Sequence, residues 1–179
     1  ASDVYKRQAL RVRDLCAFLG VDTVMTRDTE EITYPSEAKT IAAMKKWDTR
    51  RRVEIAESVD SPVFLSIHQN IYPSSGPRGS QVLYAQNEPS RALAELIQSR
   101  LTAALLPENR RVPVPAGKDI YIMSHVQCTA VLVECGFLSH PQELSLLQSA
   151  DYQKKIASVL TACYLQFTEK GLSLIHISE

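Results

Sequence analysis

Two polar residues follow apolar runs that have the character of buried strands. Residues 131–139 have the sequence VLVECGFLS, which contains Glu134, and residues 63–70 have the sequence VFLSIHQN, which contains His68. Burying a carboxylate costs free energy unless the charge has a partner or a task. An imidazole and a carboxylate at two strand ends that face one crevice suit a metal-dependent hydrolase, with a ligand and an acid/base.

Other interpretations of these residues are open at this point. A lone histidine at a strand end is more often a satisfied structural residue than a metal ligand, whereas Glu134 needs some partner in either case. A thiol hydrolase would instead use Cys135 or Cys128 with His125, but nothing in the sequence marks either thiol as activated. The four cysteines form no Cys-x-x-Cys pair.

Predicted helices and strands alternate around these candidates. Helices are predicted over residues 9–19 and 37–59, from Asn87 to about residue 105, and in a final segment with an apolar stripe that ends at Phe167. Strands are predicted over residues 21–25, 63–67, 80–85, 120–123 and 130–133. This order predicts an α/β fold: a single three-layer domain, with a mostly parallel or mixed central sheet and helices on both faces.

Length and charge exclude several classes of protein. A chain of 179 residues that is 45% hydrophobic is large enough for one compact domain. Twenty basic residues balance twenty acidic ones, so no global field attracts nucleic acid or anionic lipid. No apolar stretch approaches the length of a membrane span. We therefore expect neither a nucleic-acid partner nor a membrane span in this chain.

The two ends of the chain do not continue the pattern between them. Residues 1–8 and 171–179 resemble read-through of a sequencing or cloning adaptor rather than domain sequence. The sequence therefore predicts one domain over residues 9–170, with non-native flanks on both sides.

An ordered series of motifs resembles the zinc-dependent N-acetylmuramoyl-L-alanine amidases of bacterial cell walls, in particular the branch of sporulation and germination. The motifs are VMTRD at 24–28, DTRRR at 48–52, SIHQN at 66–70, Gly79, NR at 109–110, LVECGFLS at 132–139, PQE at 141–143 and YQ at 152–153. A single one of these motifs would be weak, but their order along the chain is specific.

The resemblance implies a reaction, a metal and a location. Such amidases cleave the bond between the lactyl group of N-acetylmuramic acid and L-alanine in peptidoglycan, outside the cytoplasm, in the cell wall, periplasm or spore envelope. Two histidines and one glutamate hold Zn²⁺ and leave one position for water. By this resemblance His68 is a zinc ligand and Glu134 is the acid/base. Possible substrate or supporting residues are Asn70, Arg27, Arg52 and Arg110. For Arg27 and Arg52, ordinary ion pairs are the simpler interpretation.

The sequence departs from the family at its beginning. The family opens with a strand that ends in a Gly-His-Gly-Gly turn, and a glutamate follows near the start of the next helix. The histidine of the turn and this glutamate are the other two zinc ligands. This sequence begins inside the helix that follows them. We therefore expect a fold that lacks the family's first strand, a chain without its export signal, and an inactive fragment. A noncatalytic cell-wall binding or regulatory module with the amidase fold is the alternative. Thr129 and His140 also stand where proline and asparagine are usual.

Overall fold

The computed structural model describes residues 2–27 and 33–177, and within them the side chains of residues 4, 6–27 and 33–169. The elements in that part of the chain are, in order, α1 (Ser2–Phe18), α2 (Ile41–Glu57), β1 (Val63–Asn70), β2 (Gln81–Tyr84), α3 (Glu88–Leu105), β3 (Val114–Pro115), α4 (Tyr121–His125), β4 (Thr129–Phe137), α5 (Pro141–Gln148) and α6 (Ala150–Ile177).

The sheet is mixed, and β4 lies in its interior. The strand order is β1-β4-β2-β3. Strand β4 is parallel to β1 and antiparallel to β2, while β3 is parallel to β2. Strand β4 has the almost entirely apolar sequence TAVLVECGF and is buried along most of its length, as expected for a strand that is covered on both faces.

Helices cover both faces of this sheet. Because side chains alternate along a strand, Val131 and Val133 of β4 pack into one cluster with α1, α3 and α6. Ala130 and Leu132 pack on the opposite face with α2 and α4. The predicted α/β class, the three layers and the mixed sheet are confirmed.

Two predicted strands are wrong. Residues 21–25 form no strand, and residues 22–24 are exposed, because a strand forms only where a neighbour accepts its backbone hydrogen bonds. The apolar run at 120–123 is mostly in helix α4, where Val126 N donates to Ile122 O at 3.0 Å. Short apolar runs do not distinguish a strand from a buried helix.

The helices also have different limits from those predicted. Helix α2 begins at Ile41 rather than at residue 37, because the Thr40 side chain caps it by accepting a hydrogen bond from Ala43 N at 3.1 Å.

Helices α1 and α6 continue through the predicted domain boundaries at residues 9 and 170. Gln8 is fully buried and accepts a hydrogen bond from Gln69 of β1. The structure has no break at either boundary, and the non-native origin of the flanks stays a prediction.

Candidate active site

Three polar residues form a row across three neighbouring strands. His68 on β1 is the register partner of Glu134 on β4, and Glu134 is also the register partner of Gln81 on β2. Residues that lie directly opposite each other project to the same face of a sheet, with Cβ atoms about 5 Å apart. The alternation along β4 places this row on the face that carries α2 and α4. The two sequence candidates thus lie side by side, and Gln81, which the sequence analysis missed, completes the row.

A β-bulge follows the row. The pairing of β1 with β4 resumes at Asn70 and Phe137, which leaves one extra residue on β4. Bulges bend a strand and redirect its side chains, and they are common next to active sites. Leu138 N donates to Asn70 O at 2.8 Å just beyond the bulge. Asn70 is therefore held through its backbone at the end of β1, and a role for its side chain stays a prediction.

The surroundings of Glu134 disfavour its ionised form. It is half-buried, and its Oε2 atom is buried with no hydrogen-bond partner among the described residues. Desolvation raises the pKa of Glu134 to about 7. A carboxyl group with this pKa is present in both protonation states near neutral pH, so it can accept a proton and return it.

The pKa of His68 is shifted in the opposite direction, for two reasons. Burial is the larger cause of the lowered pKa and the positive charge of Arg52 is the second, although part of the residue is exposed to solvent. A neutral imidazole at neutral pH has a lone pair for a metal or a proton.

Arg52 Nε lies 3.0 Å from Asp48 Oδ2 in an ion pair on α2, the ordinary pairing that the sequence favoured. Arg27 is half-buried after α1, and its role stays a prediction.

The loop after α3 places Arg111 at the row, next in sequence to Arg110, whose role in substrate binding stays a prediction. Arg110 is exposed and lines an open hollow of about 370 Å³ together with Arg78 and Glu108. Its neighbour Arg111 donates from Nη1 to Gln81 Oε1 at 3.2 Å. Two adjacent arginines in a loop cannot be told apart by sequence pattern, because the side-chain direction depends on the tertiary contacts of the loop.

A second carboxylate, that of Glu143 on α5, links the end of β4 to the loop before β2. It is buried, its Oε1 accepts from Gly79 N at 2.9 Å, and its Oε2 accepts from Phe137 N at 2.8 Å. Gly79 has φ +93°, and a Cβ there would lie 2.7 Å from Asn109 Oδ1. The glycine of the family motif is therefore required at this position by both its backbone and its surroundings.

The described residues do not complete a zinc site by themselves. Within residues 2–27 and 33–177, no group of three or more His, Cys, Asp or Glu side chains is placed to hold a metal ion. A catalytic zinc uses three protein ligands and one open position. His68 is one suitable donor, and Glu134 is the neighbouring carboxylate.

The cysteines do not have the surroundings of a nucleophile. Cys135 is fully buried in the cluster on the opposite face from the row, and burial raises its thiol pKa. Burial also raises the pKa of Cys128. The Nδ1 atom of His125 lies 2.8 Å from Tyr121 O. Because the thiolate is the reactive form, these observations argue against the thiol hydrolase.

An imidazole beside a carboxylate of raised pKa can carry out the acid/base chemistry of hydrolysis. The chain belongs to the N-acetylmuramoyl-L-alanine amidase family, whose family profile matches residues 1–163. Its class is therefore that of the peptidoglycan hydrolases, as the motif series predicted.

Two relatives and a solved structure support the assignment to this family. The chain is 36% identical over 174 residues to the germination-specific N-acetylmuramoyl-L-alanine amidase of Bacillus subtilis, covering 94% of this chain and 71% of the relative. It is 35% identical over 117 residues to the amidase LytC of the same organism, covering 64% of this chain and 23% of LytC. The structure of the CwlD amidase from Clostridioides difficile in complex with the GerS lipoprotein superposes with TM-score 0.87 at 29% identity, covering 93% and 85% of the two chains.

Proposed function

We propose that this chain carries the acid/base half of an amidase site that cleaves the bond between N-acetylmuramic acid and L-alanine in peptidoglycan. The observation that supports the proposal most directly is the buried Oε2 of Glu134, which has no partner among the described residues and lies beside His68. An unsatisfied buried carboxylate oxygen is costly, and a reacting water or amide group would satisfy it.

Glu134 has the pKa that this chemistry requires. In the ionised form it accepts a proton from the water that attacks the lactyl carbonyl carbon. In the protonated form it delivers that proton to the amine nitrogen of L-alanine as the C–N bond breaks. The pKa of about 7 makes both forms accessible at neutral pH. The products are the free carboxylate of the lactyl group and the free amine of the peptide.

We assign Zn²⁺ as the cofactor of the complete site, with His68 as one ligand. When bound, Zn²⁺ supplies a Lewis acid and lowers the pKa of water to roughly 7. Because the described residues offer no three-ligand group, we expect the chain as it stands to bind zinc weakly and to be inactive. The same observation favours the second candidate, a noncatalytic module that binds the cell wall.

The family supports a proposal for the substrate and the location. We infer an extracytoplasmic enzyme that acts on muramyl peptides of the cell wall or spore envelope, in keeping with the germination-specific amidase to which the chain is similar. A lipoprotein partner is a further candidate, because the CwlD neighbour was solved in complex with one. In the part of the chain that the structure covers, no helix has both the length and the apolarity to cross a membrane.

A chimaera separates the two candidates. A segment with the family's opening strand, its Gly-His-Gly-Gly turn and the glutamate that follows is fused in front of α1. Zinc content is then measured by mass spectrometry, and release of the L-alanine amine from purified muropeptide is measured by chromatography. The same two measurements are made on the Glu134→Gln and His68→Ala variants of the chimaera and on the unfused chain.

The amidase proposal predicts one zinc per chimaera and release of the amine. Glu134→Gln is expected to keep the zinc and lose on the order of 10²–10⁴-fold in rate, whereas His68→Ala is expected to lose the zinc. A zinc-loaded chimaera that cleaves nothing would support the noncatalytic module. Tight zinc binding by the unfused chain would contradict the proposed incompleteness of the site.

A further inference from the structure

We propose that Arg111, held in place by Gln81, binds a carboxylate of the stem peptide and so selects acidic muramyl peptides as substrates. This inference rests on the proposed function and adds a specificity residue to it. Its basis is the placement of one arginine of the loop after α3 at the end of the polar row, together with the charge that this arginine brings there.

Three contacts fix the Arg111 side chain. Its Nε donates to Arg78 O at 3.0 Å, its Nη1 donates to Gln81 Oε1 at 3.2 Å, and its Cζ lies 4.7 Å from the centre of the Phe137 ring. Phe137 follows Glu134 by three residues on β4. The guanidinium is therefore held over the end of the strand that carries the acid/base, rather than extended into solvent.

Gln81 connects this loop to the catalytic row. Its Nε2 donates to Val112 O at 3.1 Å while its Oε1 accepts from Arg111, so both ends of the amide contact the loop. Gln81 is also the register partner of Glu134. The position of Arg111 relative to the acid/base is consequently set by a strand pairing and two hydrogen bonds.

The charge of Arg111 has no acidic partner nearby. Among the described side chains, no carboxylate lies within ion-pair distance of Arg111, although Arg78 on the same side pairs with Glu108 at 3.2 Å. A half-buried guanidinium with remaining N–H donors is suited to bind a carboxylate, because its planar fork matches the two oxygens. In a muramyl peptide the carboxylates belong to the peptide and not to the neutral acetylated sugar ring. The charge at Arg111 therefore points to the peptide side of the scissile bond.

Binding of two defined compounds tests this inference without requiring catalysis. The probes are N-acetylmuramoyl-L-alanyl-D-glutamate and the same compound with both peptide carboxylates converted to amides. Affinities are measured by calorimetry in the presence of a chelator, at 50 mM and about 300 mM salt, where charge pairing is screened to different extents. Arg111→Gln is compared with Arg111→Lys and with Arg110→Gln, the matched change at the adjacent exposed arginine.

We expect the wild-type chain to bind the acidic compound about tenfold more tightly than the amidated one, the scale of one charge-assisted hydrogen bond. Arg111→Gln should abolish that difference and its salt dependence, Arg111→Lys should retain part of it, and Arg110→Gln should leave it unchanged. Because the comparison of the two compounds uses the unaltered chain, it holds even if Arg111→Gln weakens folding.

Two contrary results are distinguishable. Equal binding of both compounds to the wild-type chain, or equal losses in the Arg110 and Arg111 variants, overturns the assignment of Arg111 while leaving the proposed function in place. Failure of the wild-type chain to bind either compound contradicts the proposed function itself, and this inference with it.

Discussion

Glu134 and Glu143 lie nine positions apart in the sequence, yet their carboxylates differ sharply in hydrogen bonding. Glu143 is buried, and both of its oxygens accept backbone hydrogen bonds, at 2.9 Å from Gly79 N and 2.8 Å from Phe137 N. Glu134 is half-buried, has an oxygen without a described partner, and has a pKa raised to about 7. The more deeply buried carboxylate is thus the one with hydrogen bonds to both oxygens, so hydrogen bonding and not the extent of burial explains the difference between the two.

We interpret this difference as one between a carboxylate that stabilises the fold and the carboxylate that we propose as the acid/base. Glu143 joins the end of β4 to the loop before β2, so its charge is compensated and contributes to stability. Glu134 is kept in surroundings that disfavour its ionised form, and this cost is what gives it a pKa suitable for proton transfer. The same substitution, glutamate to glutamine, should consequently have opposite effects on stability at the two positions.

The largest expected effect is at Glu143. In Glu143→Gln, one of the two backbone N–H groups faces an NH₂ group instead of an oxygen, and we expect a loss of about 3 kcal/mol in the free energy of unfolding. Urea denaturation followed by circular dichroism measures this loss. Glu95→Gln, which removes an exposed ion pair with Arg91 on α3, is the control and should produce no measurable change. Equal effects of the two variants would contradict the structural role of Glu143.

Glu134→Gln should instead stabilise the fold, in a pH-dependent way. Because the pKa of Glu134 is about 7 in the folded chain and close to its ordinary value of about 4.3 in the unfolded chain, folding weakens as the pH rises from about 4.5 through 7. Above pH 7 the variant should be more stable by about 2 kcal/mol, after allowance for partial exposure. Below pH 4.5 the two proteins should be equally stable. A parallel pair of stability curves from pH 4 to 8 would show that Glu134 is not desolvated.

A smaller effect is expected at His140, which caps the helix that carries Glu143. The Nδ1 atom of His140 accepts from Glu143 N at 3.4 Å, a long contact. His140→Ala should destabilise the chain by about 1 kcal/mol, and His140→Asn should match or exceed the wild type, because asparagine is the stronger N-cap. Thermal unfolding of the three proteins gives the order. An alanine variant as stable as the asparagine one would show that this cap contributes nothing.

The sequence predicted the elements whose pattern is local. The strands β1 and β4 are continuous apolar runs, and Asn87 caps α3 as expected, by accepting from Ser90 N at 2.9 Å. The segment at 21–25 has an equally plausible strand composition, but composition cannot supply the neighbouring strand that pairing requires. At residues 120–123 the apolar run was too short to distinguish a strand from a helix.

The candidate site was predictable in its chemistry and not in its assembly. His68 and Glu134 were identified from motifs, but their pairing is a register between strands 66 residues apart in sequence, which no local pattern encodes. Gln81, Arg111 and Glu143 were missed for the same reason. Glu143 occupies a position near the start of α5 where a glutamate usually serves its own helix. Only the fold shows that its carboxylate instead reaches Gly79 and Phe137.

The connection between β1 and β2 must cross the end of β4, because β4 lies between those two strands in the sheet. It is fastened at both ends, where Tyr72 N donates to Ser139 Oγ at 3.1 Å and Gly79 N donates to Glu143. Residues between these two anchors can change in number at little energetic cost, since doubling a flexible loop costs only about 0.6 kcal/mol. The length of this connection can therefore vary during evolution while the sheet and its polar row stay intact.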